Sequence, residues 1–399
     1  MAAPLSVTEA AALVAEHAGD FGIERVSLLK APGRILRETI HAERDQPPFD
    51  RVMMDGIACR LVDVRAEALM CTGTVAAGAK PLPLGPTGTC LAVMTGAVMP
   101  QGAECVIPVE QIERHGSQVR VLPQAKAVQG QHVHDRGLDA KQGDVLLAAG
   151  LHLGAPALAV LASNAKGSVL VSRRPRVAIL ATGDELVDVE GPIEPWQVRR
   201  SNDCAIEGSL RVRGVEEIAA SHVPDDERAL ERSLGQALAE RDIVLLSGGV
   251  SMGQFDYVPQ ALAALGVVKV FHRVAQKPGA PLWFGIGPQG QRVFGLPGNP
   301  LAVMACMARY VGPLLALASK AQAQPQLVHL AAPAPRHGKR TLFMPAHLQR
   351  DGSVMPRPQD TSGDFMHLSS TDGIIVVPSQ QEAGADPVPV GATVPFYGW

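Results

Sequence analysis

Hydrophobic positions near the N-terminus recur at helical spacing. Ala10, Leu13, Val14 and Ala18 follow one another at intervals of one to four residues and would share one face of a helix. The preceding run Ser6-Val7-Thr8-Glu9 has the residue types of a capping box, in which a serine and a glutamate satisfy the first free backbone N–H groups. The pattern therefore predicts that the chain opens with an amphipathic helix.

The pattern changes between about residues 40 and 122. Short runs of Val, Leu and Ile alternate there with Gly and Pro, which is typical of strands joined by tight turns. We expect a mainly β domain in this segment. A helical pattern returns over residues 150–163.

Strand patterns alternate with helical patterns from Arg173 onward. The expected strands are Arg176–Ala181, Ile218–His222, Ile243–Leu246 and Val267–Phe271. The expected helices begin near Asn202, run from Asp225 to Glu240 with Asp225 or Asp226 as N-cap, and run from Leu301 to Leu317. This alternation predicts a doubly wound α/β domain, with a parallel sheet covered by helices on both faces.

A polar connector follows from Ala316, and a proline-rich segment with short strands such as Gly373–Val377 ends the chain. These features predict a small β-barrel or sandwich. The sequence thus predicts a multidomain protein that combines an α/β domain with β domains.

The composition excludes several classes of protein. With 399 residues, 46% of them hydrophobic, the chain can bury cores in two to four domains. Its formal net charge is −3 without a block of like charges, so we expect neither nucleic acid nor a membrane as partner. Glu9 and Glu16 interrupt any signal-like segment, and the six scattered cysteines lack metal-site spacing. We expect a cytoplasmic protein with reduced core thiols.

Three loops follow expected strands of the α/β domain and carry candidate ligand-binding residues. They are Thr182-Gly183-Asp184-Glu185, the run Ser247-Gly248-Gly249-Val250-Ser251 with Asp256 beyond it, and Pro297-Gly298-Asn299-Pro300. Ligands of open α/β sheets bind at the carboxyl ends of the strands, and small residues let backbone N–H groups approach a phosphate. Asn299 followed by Pro300 also predicts a helix N-terminus there. Any one of these loops alone could be a simple turn, but three together favour a phosphate site.

Acidic residues would share this crevice with the phosphate. They are Glu185, Asp225, Asp226 and Asp256. Because bare carboxylates repel phosphate, the acids imply a divalent metal such as Mg²⁺. The alternative for Asp225 and Asp226 is that they only cap the following helix.

The basic residues offer candidates of their own. Arg273 and Lys277 follow another expected strand and could hold a dianionic ligand, although Lys277-Pro278-Gly279 is equally a turn. His132 and His134 alternate as on one side of a strand. Without a third ligand they are interpreted as surface residues.

Several motifs occur in an order that resembles the molybdopterin molybdenumtransferases, the MoeA and gephyrin E-domain family. The motifs are Pro47-Pro48-Phe49-Asp50, Met54-Asp55-Gly56, Met94-Thr95-Gly96-Ala97, Ala181-Thr182-Gly183-Asp184-Glu185-Leu186, Ser247-Gly248-Gly249-Val250-Ser251 with Asp256, Lys277-Pro278-Gly279 and Gly295-Leu296-Pro297-Gly298-Asn299-Pro300. The resemblance covers nearly the whole chain and is looser over the last 75 residues or so.

The resemblance implies an elongated homodimer of four-domain chains. The implied domains are a helical linker domain (1–42 and 131–172), an inserted β domain (43–130), a molybdopterin-binding α/β domain (173–320) and a C-terminal β domain (325–399). It also implies that adenylylated molybdopterin and molybdate are the substrates, that Mg²⁺ is required and that AMP is released. Molybdopterin adenylyltransferase and client molybdoenzymes are the implied protein partners.

The resemblance also implies roles for individual residues. Asp55 and Thr95 would belong to the inserted domain's side of the cleft, near molybdate or the terminal phosphate. Asp55, Thr95, Glu185, Asp256 and Lys277 are the implied catalytic residues. The implied substrate-binding residues are Thr182, Gly183, Ser247, Gly248, Gly249, Ser251, Arg273, Pro297, Gly298, Asn299 and Pro300. Asp139 matches an acid in the segment that follows the inserted domain.

The chain departs from the family pattern at several positions. Arg51, Val52, Met53 and Ile57 replace small polar residues and a tyrosine around the Met54-Asp55-Gly56 motif. Arg273 and Ala280 stand where the family has lysines, and Leu342 and Pro345 where it has an acid and an arginine.

Two interpretations of these departures are open. Arg51 supplies replacement hydrogen bonds to an oxyanion, or the chain is a specialised paralogue. A paralogue would hold molybdopterin or finished cofactor and deliver it to a client enzyme without catalysis. A scaffold and an unrelated Mg²⁺-dependent nucleotide hydrolase are weaker alternatives.

Overall fold

The computed structural model describes residues 3–249, 258–321, 324–358, 365–383 and 386–399. The described chain forms two compact units, one of residues 25–170 and one that joins 1–24 to 171–399. The helices are α1 (Val7–Glu16), α2 (Ala155–Ser163), α3 (Ser201–Val212), α4 (Glu227–Glu240), α5 (Val258–Ala264), α6 (Pro300–Cys306), α7 (Gly312–Ala318) and α8 (Gln380–Ala383).

The strands of the first half of the chain are β1 (Ile23–Ser27), β2 (Ile40–His41), β3 (Arg51–Val52), β4 (Gly56–Cys59), β5 (Leu69–Val75), β6 (Thr89–Val93), β7 (Cys105–Pro108), β8 (Ile112–His115), β9 (Gln118–Val121), β10 (Val133–His134), β11 (Val145–Leu147) and β12 (Ser168–Ser172). Those of the second half are β13 (Val177–Thr182), β14 (Leu186–Val187), β15 (Val198–Arg199), β16 (Ile218–Val223), β17 (Ile243–Ser247), β18 (Val268–His272), β19 (Gln276–Lys277), β20 (Trp283–Ile286), β21 (Arg292–Leu296), β22 (Gln326–His329), β23 (Thr341–Leu348), β24 (Val354–Pro356), β25 (Gly373–Val377) and β26 (Thr393–Gly398).

The unit of residues 25–170 is built around a sheet with strand order β7-β4-β6-β5-β9-β8. Its core includes Ile57, Leu69, Ile107 and Val119, each at most 1% exposed. The expected β domain is therefore present. Two short antiparallel pairs, β3 with β10 and β2 with β11, also lie in this unit. A helical pattern was expected over residues 150–163, but α2 begins only at Ala155, after Gly154.

The sheet of the α/β domain has the order β16-β13-β17-β21-β20-β18. Strands β16, β13, β17 and β21 are parallel, and β20 runs antiparallel to both of its neighbours. The sheet is thus mixed rather than purely parallel. Because two reversals cancel, β18 has the same direction as the parallel strands.

Alternate residues of β13 enter two different cores. Val177 and Ile179 pack with Ile206 and Leu210 of α3, whereas Ala178 and Leu180 pack with residues of α4 and α5. Both faces of the sheet are therefore covered by helices, as the doubly wound prediction requires. The capping box of α1 is also confirmed, with both of its reciprocal hydrogen bonds present.

The long apolar helix expected after Asn299 is continuous but contains a π-helical turn, Met307–Val311, between α6 and α7. Pro313 lies just beyond this turn and has no N–H to donate to the preceding helical turn, which accounts for the widened register. By length and composition Pro300–Ala318 could cross a membrane, but 67% of its 18-residue window is buried inside the protein. It packs as a core helix.

The C-terminal strands form a sheet of order β19-β23-β25-β26-β22, with β24 on β23. A bridge between Leu330 and Val354 joins the end of β22 to β24 and closes the ring. Val328, Met344, Ile375 and Phe396 fill its interior. The expected small barrel is therefore present.

The cysteines are free thiols, and Cys59, Cys90, Cys105 and Cys306 are buried. The expectation of core thiols is wrong for Cys204, which is exposed on α3.

Candidate functional site

The carboxyl ends of β16, β13, β17 and β21 meet at one edge of the α/β sheet because these strands are parallel. Thr182 and Ser247 are the last residues of β13 and β17, and Leu296 is the last residue of β21. All three candidate loops therefore leave the sheet at the same edge. Arg273 directly follows β18, which ends there as well.

The loop after β17 depends on its glycines. Gly248 and Gly249 have φ angles of +97° and +66°, which favour glycine. A Cβ atom on Gly248 would lie 2.8 Å from the carbonyl oxygen of Thr182. Two neighbouring strand ends thus approach each other so closely that a side chain would separate them. Ser251 and Asp256, expected in the same loop, lie outside the described residues.

The loop after β21 leads into a helix N-terminus, as expected from Asn299 and Pro300. The side chain of Asn299 accepts a hydrogen bond from the N–H of Ala302 at 3.3 Å, and Pro300 is the first helical residue. Pro297 and Gly298 precede this cap. The free N–H groups and the positive dipole end of α6 are therefore presented at the carboxyl edge of the sheet.

Asn202 joins the second and third loops, a role that was not predicted from the sequence. Its Nδ2 atom donates to Ser247 Oγ at 3.0 Å and to the carbonyl oxygen of Gly298 at 2.8 Å. Since a carbonyl can only accept, these contacts fix the orientation of the amide. The run Ser201-Asn202-Asp203 gave only a helix start, because the contact partners are distant in sequence.

A cavity of about 510 Å³ lies between these loops. Its lining includes Glu185, Ser201, Asn202, Ser247, Gly298, Pro300, Phe365 and Met366. This volume is within the range of sites for small molecules. The cavity brings together members of all three expected loops. Arg273, Lys277 and Asp225 are not part of its lining.

Two acids of the first loop, Asp184 and Glu185, lie near a third acid, Asp225. Asp184 Oδ1 accepts a hydrogen bond from the N–H of Asp225 at 3.1 Å. Burial, and then the negative charges of Asp184 and Glu185, raise the pKa of Asp225 above its ordinary value. The smaller part of this rise, from Asp184 and Glu185, is repulsion between like charges that a bound cation would compensate.

The two acids left as alternatives have different surroundings. Asp226 Oδ1 accepts from the N–H of Ala229 at 2.8 Å and is the N-cap of α4. The N–H of Asp225 bonds Asp184 instead, and the charges of Asp184 and Glu185 act on its carboxyl group. Among the described residues, which leave out Asp256, no group of three or more His, Cys, Asp or Glu side chains is arranged to hold a metal ion.

Arg273 and Lys277 lie on a constrained segment. Arg273 has a φ angle of +76°, a strained conformation for a residue with a side chain. Lys277 belongs to β19 and pairs with Leu342 of the C-terminal barrel. The fully buried Gln276 accepts from the Tyr310 hydroxyl and donates to the carbonyl oxygen of Gly279 at 2.9 Å. The loop that carries Lys277 is thus held at both ends.

Asp55 and Thr95 contact each other in the unit of residues 25–170. Asp55 Oδ1 accepts from both the N–H and the hydroxyl of Thr95, each at 2.7 Å. These bonds, the backbone bond foremost, hold the pKa of Asp55 below its ordinary value. The structure therefore joins these two expected residues into one ionised, exposed acceptor group.

Family comparisons match most of the chain. The model described as "MoeA N-terminal region (domain I and II)" matches residues 5–165. "Probable molybdopterin binding domain" matches residues 178–317, and "MoeA C-terminal region (domain IV)" matches residues 328–399. The cavity and its three loops lie mainly in the second of these segments.

Individual relatives agree with the family models. A molybdopterin molybdenumtransferase of Synechocystis sp. is 35% identical over 99% of this chain and 100% of its own length. One from Nostoc sp. is 35% identical over 89% of this chain and 85% of its own length. The crystal structure of a molybdopterin biosynthesis MoeA protein from Pyrococcus horikoshii is similar over 100% of both chains, with a TM-score of 0.83 and 28% identity.

Proposed function

This chain belongs to the MoeA family, and from that premise we propose that it inserts molybdenum from molybdate into adenylylated molybdopterin with Mg²⁺-dependent hydrolysis and release of AMP. The observation that carries the proposal is the cavity of about 510 Å³ into which the three loops converge. It lies at the carboxyl edge of the sheet, where α/β proteins bind ligands.

The loops after β17 and β21 would bind the phosphates of adenylylated molybdopterin. Gly248 and Gly249 put no side chain in the way of a phosphate, although the N–H of Gly248 already donates to the carbonyl oxygen of Leu296 at 3.3 Å, and α6 directs its N-terminus toward the same edge. Backbone N–H groups and a helix dipole stabilise the negative charge of a phosphate. Phe365 and Met366 line the same cavity and offer apolar surface to a flat heterocycle.

Mg²⁺ would be held by the acids beside this cavity. Glu185 and Asp225 would hold it, with Asp256 as a third donor from outside the described residues. Mg²⁺ commonly takes one or two carboxylates and fills its remaining positions with water and substrate phosphate oxygens. It would neutralise phosphate charge during hydrolysis. The raised pKa of Asp225 supports this assignment, while Asp226 is committed to its cap.

The positively charged and polar residues would position the two anionic substrates. Arg273 and Lys277 would contact phosphate or molybdate oxygens, since guanidinium and ammonium groups donate charge-assisted hydrogen bonds. Asp55, kept ionised by Thr95, would accept a hydrogen bond from a water molecule or from a protonated substrate oxygen and so position it.

We also propose the homodimer that is typical of the family as the working assembly, in the cytoplasm. An enzyme that adenylylates molybdopterin must act before this one, and client molybdoenzymes after it.

Single-turnover release of AMP tests the function. Purified protein and adenylylated molybdopterin are mixed with Mg²⁺, with and without molybdate, and AMP is quantified over time. Release that depends on both molybdate and Mg²⁺ supports the transferase. Tight binding without release supports the carrier, and release from ordinary dinucleotides supports the hydrolase.

A further inference from the structure

Arg51, His134 and Asp139 form a hydrogen-bonded chain in the unit of residues 25–170. Arg51 Nη2 lies 3.0 Å from His134 Nδ1, and His134 Nε2 lies 2.9 Å from Asp139 Oδ1. Arg51 and His134 are directly opposite each other in the β3–β10 pair. The backbone register therefore places the two side chains side by side.

The partners of the ring fix the protonation of His134. A guanidinium group can only donate, so Nδ1 must accept and carries no proton. Nε2 faces a carboxylate and must donate, so the proton is on Nε2. His134 is thus a neutral imidazole that is oriented by Asp139 and in turn orients Arg51.

A neighbouring arginine is bound differently. Arg136 Nε contacts the carboxylate of Asp45 directly at 2.7 Å, which neutralises its charge. The guanidinium of Arg51 bonds a neutral ring instead, and the carboxylate of Asp139 bonds the far side of that ring. Arg51 is exposed, so its remaining N–H groups and its positive charge are available to an anion.

Arg51 and Asp55 are anchored to the same segment. The N–H of Val52 donates to the carbonyl oxygen of Ala97 at 2.9 Å, and the N–H of Gly96 donates to that of Val52 at 2.8 Å. Three residues after Val52, Asp55 accepts from Thr95. Residues 95–97 therefore bond both the strand that carries Arg51 and the carboxylate of Asp55.

We infer that Arg51 is an oxyanion-binding residue of this chain, with His134 and Asp139 as its positioning residues, and that its ligand is the molybdate dianion. The identity of the ligand rests on the proposed function. A planar guanidinium that is already restrained by a hydrogen bond to His134 can give two parallel hydrogen bonds to a tetrahedral oxyanion, which a freely rotating side chain makes at a higher entropic cost.

The test compares Arg51→Ala, Arg51→Lys, His134→Ala and His134→Gln in the molybdate-dependent AMP release assay. Arg51→Ala should raise the KM for molybdate about tenfold, with kcat and the KM for adenylylated molybdopterin within about twofold of wild type. The KM of Arg51→Lys for molybdate should lie between those of wild type and Arg51→Ala, because lysine keeps the positive charge but cannot donate two parallel hydrogen bonds. Glutamine can accept from Arg51 and donate to Asp139, so His134→Gln should restore what His134→Ala loses.

Arg136→Ala is the matched control, since it removes a nearby exposed arginine that is already paired. Its KM for molybdate should equal that of wild type. Equal values for Arg51→Ala and Arg136→Ala would overturn the inference.

Equilibrium dialysis with molybdate separates this inference from the proposed function. Weaker retention by Arg51→Ala than by Arg136→Ala supports the anion site even if wild type releases no AMP, an outcome that would refute only the function. Equal retention refutes the site whatever the turnover.

Discussion

At the residue scale, the Asp55 carboxylate is an exposed group whose ionised form is stabilised by two hydrogen bonds from Thr95. Because the pKa of Asp55 is lowered, these bonds stabilise the fold at pH values above the ordinary pKa of an aspartate. This stabilisation is lost as the pH falls through the pKa of the folded state. At neutral pH the group is a permanent acceptor. The sequence suggested both residues separately, but only the fold shows that they form one unit.

We predict that Asp55→Ala lowers molybdate-dependent AMP release at least about 100-fold, the scale of a lost acid–base or positioning group. The melting temperature should change little because the carboxylate is exposed. Asp351→Ala is a matched control, since Asp351 is likewise exposed and bonded by the N–H and hydroxyl of Ser353. Equal activity of Asp55→Ala and Asp351→Ala would show that Asp55 does not belong to the site.

A second prediction at this scale separates Asp225 from Asp226. The raised pKa of Asp225 lowers stability as the pH rises from its ordinary value through the folded-state pKa, and this penalty persists at neutral pH. Asp225→Asn should therefore melt at a higher temperature than wild type without Mg²⁺, and should lose the rise in melting temperature that Mg²⁺ gives wild type.

Asp226→Asn is the control for this change because asparagine is also a good N-cap. It should keep the response to Mg²⁺. Thermal unfolding with and without the ion decides between the two acids, and the opposite pattern would assign the metal to Asp226.

At the scale of elements, most strands and helices of the α/β domain follow from periodicity, but their contacts do not. The expected strands Arg176–Ala181 and Ile243–Leu246 correspond to β13 and β17 within a residue at each end. The reversal at β20 was missed because short buried strands have the same apolar pattern in either direction. Asn202 was missed because its importance arises from contacts with Ser247 and Gly298, which lie 45 and 96 positions away.

The two hydrogen bonds by which Asn202 joins Ser247 to Gly298 give a prediction at this scale. Asn202→Ala should cost about 1–2 kcal/mol of stability and raise the KM for adenylylated molybdopterin about tenfold, since the two phosphate loops lose their shared donor. Asn164→Ala removes an amide that likewise makes two hydrogen bonds, to Val160 and Glu43, in the other unit. It should cost similar stability without changing that KM. A parallel change in both variants would show a merely structural role.

Gly248, in the loop after β17, gives another prediction at this scale. Gly248→Ala combines a φ angle of +97° with a Cβ 2.8 Å from the Thr182 carbonyl oxygen, so it should cost about 1–3 kcal/mol and abolish tight binding of adenylylated molybdopterin. Gly116→Ala has a φ angle of +62° but open space around the new Cβ. It should lose only about 1 kcal/mol and keep binding. Titration calorimetry and denaturant unfolding measure both effects, and retained binding by Gly248→Ala would contradict the site.

At the scale of the whole molecule, the order of motifs carried more information than any single one. Family membership, the α/β class and the C-terminal barrel could be predicted from the sequence, since ordered motifs and periodicity survive without contacts. The division into four domains, the homodimer and the site residues remain predictions. The Arg51–His134–Asp139 chain could not be predicted, because it depends on the pairing of two-residue strands about 80 residues apart.

Molybdenum insertion is tested most directly by the molybdenum content of the pterin after a single turnover, measured with the AMP released in the same reaction. We predict one molybdenum atom bound per AMP released, with neither formed when Mg²⁺ or molybdate is omitted. AMP release without molybdenum in the pterin would contradict it.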